Sequence, residues 1–171
     1  FDRMVARGGL NIAASGTPFK KQTDFAILAI TRKCHLACEP CYERANLADR
    51  ETVSAAEWQA VVRDLQALGT SIVTFSGGEP MLRFDDLLSL VEAGDKDLSD
   101  FHVHTSGYGV TRESAGALRR AGLTAAGVGL DDPDPERHDA RRGWRGAYRD
   151  AVRALGHFRD AGVFPYVNAC L

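Results

Sequence analysis

The sequence predicts an α/β fold on parallel strands, either a doubly wound sheet or a β/α barrel, and three observations carry this. From residue 25 onward, short apolar runs alternate with helical segments. Each helical segment is long enough to return the chain across a sheet, which makes the strands parallel and the crossovers right-handed. The length of 171 residues, 44% of them hydrophobic, suffices for one globular domain with its own core.

The elements follow in order. "FAILAI" (25–30) is a continuous apolar run, the form of a strand buried on both faces. Segment 54–69 opens with Ser54 and Glu57 in capping-box spacing and stops at Gly69. Its apolar positions Trp58, Val61, Val62, Leu65 and Leu68 recur at helical intervals. "SIVTF" (71–75) reads as a strand, "FDDLLSLVEAG" (84–94) as a helix and "FHVHT" (101–105) as a third strand. A helix over 111–121 stops at Gly122, "LTAAGVGL" (123–130) is a fourth strand, and a helix over 147–161 stops at Gly162. "VFPYVNACL" begins a fifth strand, and residues 1–24 read as an irregular lead-in to a core over 25–171.

A net charge of -2 gives no general attraction to nucleic acid or an anionic membrane. No apolar run approaches the roughly 18 residues that span a bilayer. Four cysteines grouped three-plus-one do not form a secreted disulfide framework, so a cytoplasmic setting is expected. Phe1 in place of methionine and the strand-like "VNACL" read as cut ends, which leaves a targeting segment open.

In both candidate architectures chemistry gathers in the loops after the strands. Here those loops carry "CHLACEPC" (34–41), "SGGEP" (76–80), "SGYG" (106–109) and "DDPDPERHD" (131–139). The acidic start of the last reads as a helix-breaking loop rather than a metal site. The spacing Cys34-x3-Cys38-x2-Cys41 supplies three close thiols, one fewer than structural zinc or a fully ligated cluster takes. A redox reading uses Cys38 and Cys41 but leaves Cys34 without a task. A three-ligated iron–sulfur cluster, with one iron left for a substrate or cofactor, is favoured over zinc and over incidental thiols. In the next loop Gly77 and Gly78 permit close backbone approach, and Glu79 offers a carboxylate suited to an ammonium group. Without a lysine and the longer glycine spacing this is no phosphate cradle.

The cysteine loop followed by "GGEP" resembles the radical S-adenosylmethionine (radical SAM) superfamily, two leading motifs in the right order. "TSG" (105–107) and "GLDDPDPERHDARRGWRGAY" are similar to further family stretches, the latter to members that carry additional C-terminal cluster domains. The resemblance implies a partial (β/α)6 barrel, ending here in strand five. It implies that Cys34, Cys38 and Cys41 bind a [4Fe-4S] cluster whose fourth iron chelates S-adenosylmethionine (SAM). Glu79 would accept from the SAM amino group, and the Gly77–Gly78 backbone would run along the methionine part. Pro40, Ser106, Gly129, Asp131 and Arg142 complete the implied SAM contacts. One electron, from a donor such as flavodoxin or ferredoxin, would cleave SAM to methionine and a 5′-deoxyadenosyl radical that takes hydrogen from a substrate. Three positions depart from the family pattern: Pro40 stands where an aromatic residue is common, Gly129 where serine is, and Ser106 where asparagine is.

Strand alternation puts His102, His104 and Ser106 on one face, with Tyr166, Asn168 and Cys170 on the corresponding face of strand five. His102, His104, Tyr166 and Asn168 are therefore candidates for a substrate pocket, against the alternative of satisfied core residues. Cys170 reads as a small buried residue. The substrate stays open between peptide, cofactor precursor and small molecule. The rival readings are an electron carrier, which should supply four cysteines and lack "GGEP", and a zinc-stabilised domain.

Overall fold

The computed structural model describes residues 23–43 and 50–170, so nearly all of the expected lead-in over 1–24 lies outside the described residues. Five strands, β1 (Phe25–Thr31), β2 (Ile72–Gly77), β3 (Asp100–Thr105), β4 (Leu123–Gly129) and β5 (Phe164–Asn168), form one sheet. Every neighbouring pair is parallel and the order is β1-β2-β3-β4-β5. A doubly wound sheet reverses its strand order at a switch point, whereas a barrel adds each strand beside the last. The sequential order therefore selects the barrel-type architecture.

Among the described residues five helices return the chain: α1 (Ala55–Ala67), α2 (Phe84–Ala93), α3 (Arg112–Ala121), α4 (Pro135–Arg142) and α5 (Ala147–Asp160). The capping box at α1 forms, with Ser54 accepting from the Glu57 N–H and Glu57 accepting from the Ser54 N–H. The stop at Gly122 is left-handed, with φ 109°. Leu28, Ile30, Val73, Phe75, Phe101, Val103, Ala126 and Val128 share the covered face of the sheet and pack with Val62, Leu87, Leu90, Leu118 and Phe158 of the helices. Among the described residues no helix is long and apolar enough to cross a membrane.

Three expectations need correction. β1 is buried on one face only: Phe25 is 50% and Ile27 52% exposed, because they lie on the face opposite the helices. Val61 on α1 and Leu68 at its C-cap are exposed, while Gln66 is buried and bonds the Asp95 carbonyl at 2.7 Å and Ser99 Oγ at 3.1 Å. Within "DDPDPERHD" a helix begins: Asp134 accepts from the Glu136 and Arg137 N–H groups, and Pro135 takes the first turn, where a missing N–H costs nothing.

Candidate functional site

The strand ends open on a cavity of about 550 Å³. Its wall includes Cys34, Pro40, Cys38, Cys41, Gly77, Gly78, Ser106, Gly129, Asp131, Arg142, His104 and Asn168. Twelve expected residues, drawn from every strand end, thus converge. Cys170 also lines it and is exposed rather than buried, since it stands past the end of β5 on the open face.

The glycine pair earns its place on the β1 side. A Cβ on Gly77 would stand 2.2 Å from the Thr31 carbonyl oxygen, and one on Gly78 2.2 Å from that of Lys33. The Gly78 and Glu79 N–H groups donate to those same carbonyls at 2.8 Å, so β2 stays laced to β1 right up to the cysteine loop. Tyr42, which the sequence reading passed over, donates to the Gly77 carbonyl at 3.2 Å, with its hydroxyl 3.1 Å from Ser76 Oγ.

Glu79 lies beneath the cavity wall, fully buried. Oε1 accepts from the Met81 N–H at 3.0 Å and the Thr105 hydroxyl at 2.7 Å; Oε2 accepts from the Ser106 N–H at 2.8 Å and from the Ser106 hydroxyl. A carboxylate has about four acceptor positions. The chain's own donors fill them, which bears directly on the expected bond to the SAM amino group. Burial raises this carboxyl above its usual range, against the pull of all four donors.

The segment after β4 is wired to the cysteine loop. Buried His138 accepts from the Asp131 N–H through Nδ1 at 3.2 Å. Asp131 in turn meets Arg142 at two points, Nη2 to Oδ1 at 2.9 Å and Nε to Oδ2 at 2.8 Å. The Arg142 and Arg141 carbonyls accept from the Ala37 and Glu39 N–H groups, each at 3.1 Å. Gly143, with φ 59°, lies against Ala37, whose carbonyl oxygen would stand 2.8 Å from an added Cβ. Asp139 caps α5 through the Gly146 and Tyr148 N–H groups. At position 129, a Cβ would stand 2.5 Å from Arg142 Nη2, so the guanidinium occupies the space a side chain there would take. His35 of the cysteine loop lies tilted against Tyr108 at 3.8 Å and edges Trp144 at 5.1 Å, so three loops meet in one aromatic contact.

Deeper on the open face, His104 Nε2 lies 2.8 Å from the Tyr166 hydroxyl, and His102 meets the same ring at 6.4 Å. Gly127 leaves the room, for its Cβ would come within 2.7 Å of both His104 and Tyr166. Burial lowers both histidines below their usual range and raises Tyr166. His102, Tyr166 and Glu79 do not line the cavity itself.

The donor set fits a cluster better than a single ion. Burial pushes Cys34 up to about 11 and raises Cys38, where Arg142 pulls the other way. Among the described residues no three Cys, His, Asp or Glu side chains gather closely enough to hold one metal ion. Zinc draws its thiolates to about 2.3 Å from a single point, whereas cluster cysteines bind different irons.

The model of the radical SAM superfamily matches residues 28–170. The chain belongs to this superfamily. Radical SAM proteins use a [4Fe-4S] cluster and SAM. Among curated relatives, the AdoMet-dependent heme synthase of Nitratidesulfovibrio vulgaris is 33% identical over 140 residues, covering 81% of this chain and 38% of that protein. The PqqA peptide cyclase of Rhizobium meliloti is 32% identical over 146 residues, 84% of this chain and 39% of that protein. Streptococcus suis SuiB bound to its precursor peptide SuiA superposes with a TM-score of 0.73 at 21% identity, over 87% of this chain and 33% of that one. The likeness to SuiB is one of fold, the partial barrel of radical SAM proteins. The chain spans less than half the length of these relatives.

Proposed function

We propose that this chain is the catalytic core of a radical SAM enzyme in which Cys34, Cys38 and Cys41 hold a [4Fe-4S] cluster. The carrying observation is the single cavity that joins the three thiols to the Gly77–Gly78 backbone, Ser106 and the Asp131–Arg142 pair. When bound and reduced, the cluster supplies the electron that splits SAM into methionine and a 5′-deoxyadenosyl radical. Arg141 and Arg142 fix the cysteine loop through their carbonyls, so the thiols are held before any metal arrives. Gly77, Gly78 and Pro40 offer backbone to SAM, while Glu79 fixes the turn after β3 on which Ser106 stands. The cavity continues at His104 and Asn168, which face the place of a substrate, while His102 and Tyr166 stand behind them, the Tyr166 hydroxyl meeting His104. A peptide or a cofactor precursor suits relatives named as a peptide cyclase and a heme synthase. A flavodoxin- or ferredoxin-type protein is the electron donor in this reading, and the setting is cytoplasmic.

Anaerobic reconstitution with iron and sulfide tests it. Cys34→Ala, Cys38→Ala and Cys41→Ala are each expected to remove the oxygen-sensitive cluster absorbance and SAM cleavage to 5′-deoxyadenosine. Cys170→Ala is expected to keep both. Retention of the cluster in any of the first three variants, or its loss in the fourth alone, overturns the ligand assignment.

A further inference from the structure

Arg141 and Arg142 both line the cavity, and it is Arg142 whose guanidinium meets a cysteine sulfur. Arg137 pairs with Asp132 in solvent, its side chain 65% exposed, whereas the Arg142 side chain is 18% exposed and turned into the cavity wall. Asp131 holds it by one hydrogen bond from Nη2 and an ion-pair contact at Nε, and is itself held, accepting from the Cys170 N–H at 3.0 Å and donating its own N–H to His138. Gly129 leaves the floor beneath the guanidinium open. Its other terminal nitrogen, Nη1, lies 4.0 Å from Cys38 Sγ. As a thiol, Cys38 donates to the Arg142 carbonyl at 3.9 Å. As a thiolate it only accepts, and Nη1 is the donor in front of it.

We propose that Arg142 is a redox-positioning residue: held by Asp131 over Gly129, it directs an N–H group and a positive charge at the Cys38 sulfur and favours the reduced state of the group that the three cysteines bind. No bond forms or breaks in this. One electron arrives from a low-potential one-electron donor, and the added negative charge lies beside the guanidinium, with the carboxylate of Asp131 behind it. Hydrogen bonds to ligand sulfurs are among the factors that set such potentials. The space over Gly129 serves this purpose, since a larger residue there would move the guanidinium off its line. The inference rests on the cluster reading proposed above.

The test is a redox titration of the full-length protein followed by paramagnetic resonance without SAM, so that any contact of Arg142 with that cofactor does not enter. The signal followed is the one that Cys38→Ala removes, and iron and sulfide are measured in every variant. In Arg142→Gln the ratio of reduced to oxidised cluster at fixed poise is expected to fall about tenfold, which for a one-electron couple is about 59 mV. Arg142→Lys keeps the charge but not the fork and is expected to lie between parent and Gln variant. An unchanged ratio in Arg142→Gln overturns the inference while leaving the cluster reading intact. So does loss of the cluster from both variants, which would make Arg142 a requirement of assembly. A parent protein without sulfide overturns the cluster reading and this inference together.

Discussion

Glu79→Gln is the sharpest probe of how this site is built. The sequence pattern offers Glu79 to a cofactor; the structure surrounds it with four donors of its own chain. Glutamine has one carbonyl oxygen where glutamate has two equivalent ones, and its amide nitrogen only donates. If that nitrogen takes the Oε1 position it faces the Met81 N–H, and if it takes the Oε2 position it faces the Ser106 N–H. The Thr105 and Ser106 hydroxyls can rotate and accept instead, but a backbone N–H cannot. Either orientation therefore leaves one buried N–H unpaired, at about 1–3 kcal/mol, and weakens the bonds that remain by removing the charge. The sum is about 2–4 kcal/mol, a large share of the 5–15 kcal/mol that holds a typical domain together. For a domain of this size that lowers the melting temperature by about 5–15 °C. Glu79→Ala, which strands all four donors, is expected to cost as much or more.

The assay is thermal unfolding of the metal-free protein, followed by circular dichroism, with no SAM present. A carboxylate whose partner is the SAM amino group would leave the melting temperature of that form unchanged on replacement by glutamine. Equal melting of parent and Glu79→Gln would thus refute the keystone role and return the residue to the cofactor. A large drop without any cofactor supports a structural task shared by β2, the short 3-10 turn at Pro80–Arg83 and the exit of β3.

Three further outcomes are expected. Because burial holds the Cys34 proton from 9.0 up to about 11, alkylation of Cys34 in the metal-free protein, read by mass spectrometry, should climb well above pH 9. Over that interval the folded chain keeps a proton the unfolded chain has lost, so metal-free stability should fall as pH rises from 9.0 to about 11, and half-maximal labelling below pH 9 would contradict this. His104→Ala removes the partner of the Tyr166 hydroxyl and is expected to impair substrate turnover while leaving uncoupled 5′-deoxyadenosine release largely intact; parallel loss of both with a lower melting temperature would return the pair to the core. Gly143→Ala strains a left-handed residue and presses on Ala37, at about 1–3 kcal/mol, and should loosen the cysteine loop so that iron is lost faster to a chelator; an unchanged loss rate would separate α4 from the loop.

The parts of this fold that were legible in the sequence are those that local chemistry dictates. The Ser54–Glu57 box starts a helix wherever it lies, and Gly122 ends one for reasons confined to a single residue. The loops at the strand ends declared themselves because cysteine, glycine and proline are rare inside strands and crowd four successive turns. Strand order was not legible, for both candidate architectures use the same alternation and differ only in which strands pair. Nor was the burial of β1, since an apolar run looks alike whether its second face meets helices or a cavity. The start of α4 had a local signal, Asp134 before Pro135, hidden among acidic and proline residues that equally describe a loop.

The site shows the same division more sharply. Cysteine spacing is a statement about eight consecutive residues, and the structure brings the three thiols to one cavity. The roles of Gly129, His138 and Glu79 are statements about distance in space. Gly129 is read in sequence as a missing hydroxyl, yet its meaning lies in Arg142, thirteen residues on, whose guanidinium needs the volume. His138 reads as one more polar residue in a charged segment, yet it bonds the backbone of Asp131, which aims Arg142. His138, Asp131 and Arg142 form a relay from α4 to the Cys38 sulfur, in which each member fixes the next. A relay of that kind leaves a pattern in sequence but no reason for it; the reason appears once β4 and α4 place Gly129, Asp131, His138 and Arg142 around a single guanidinium.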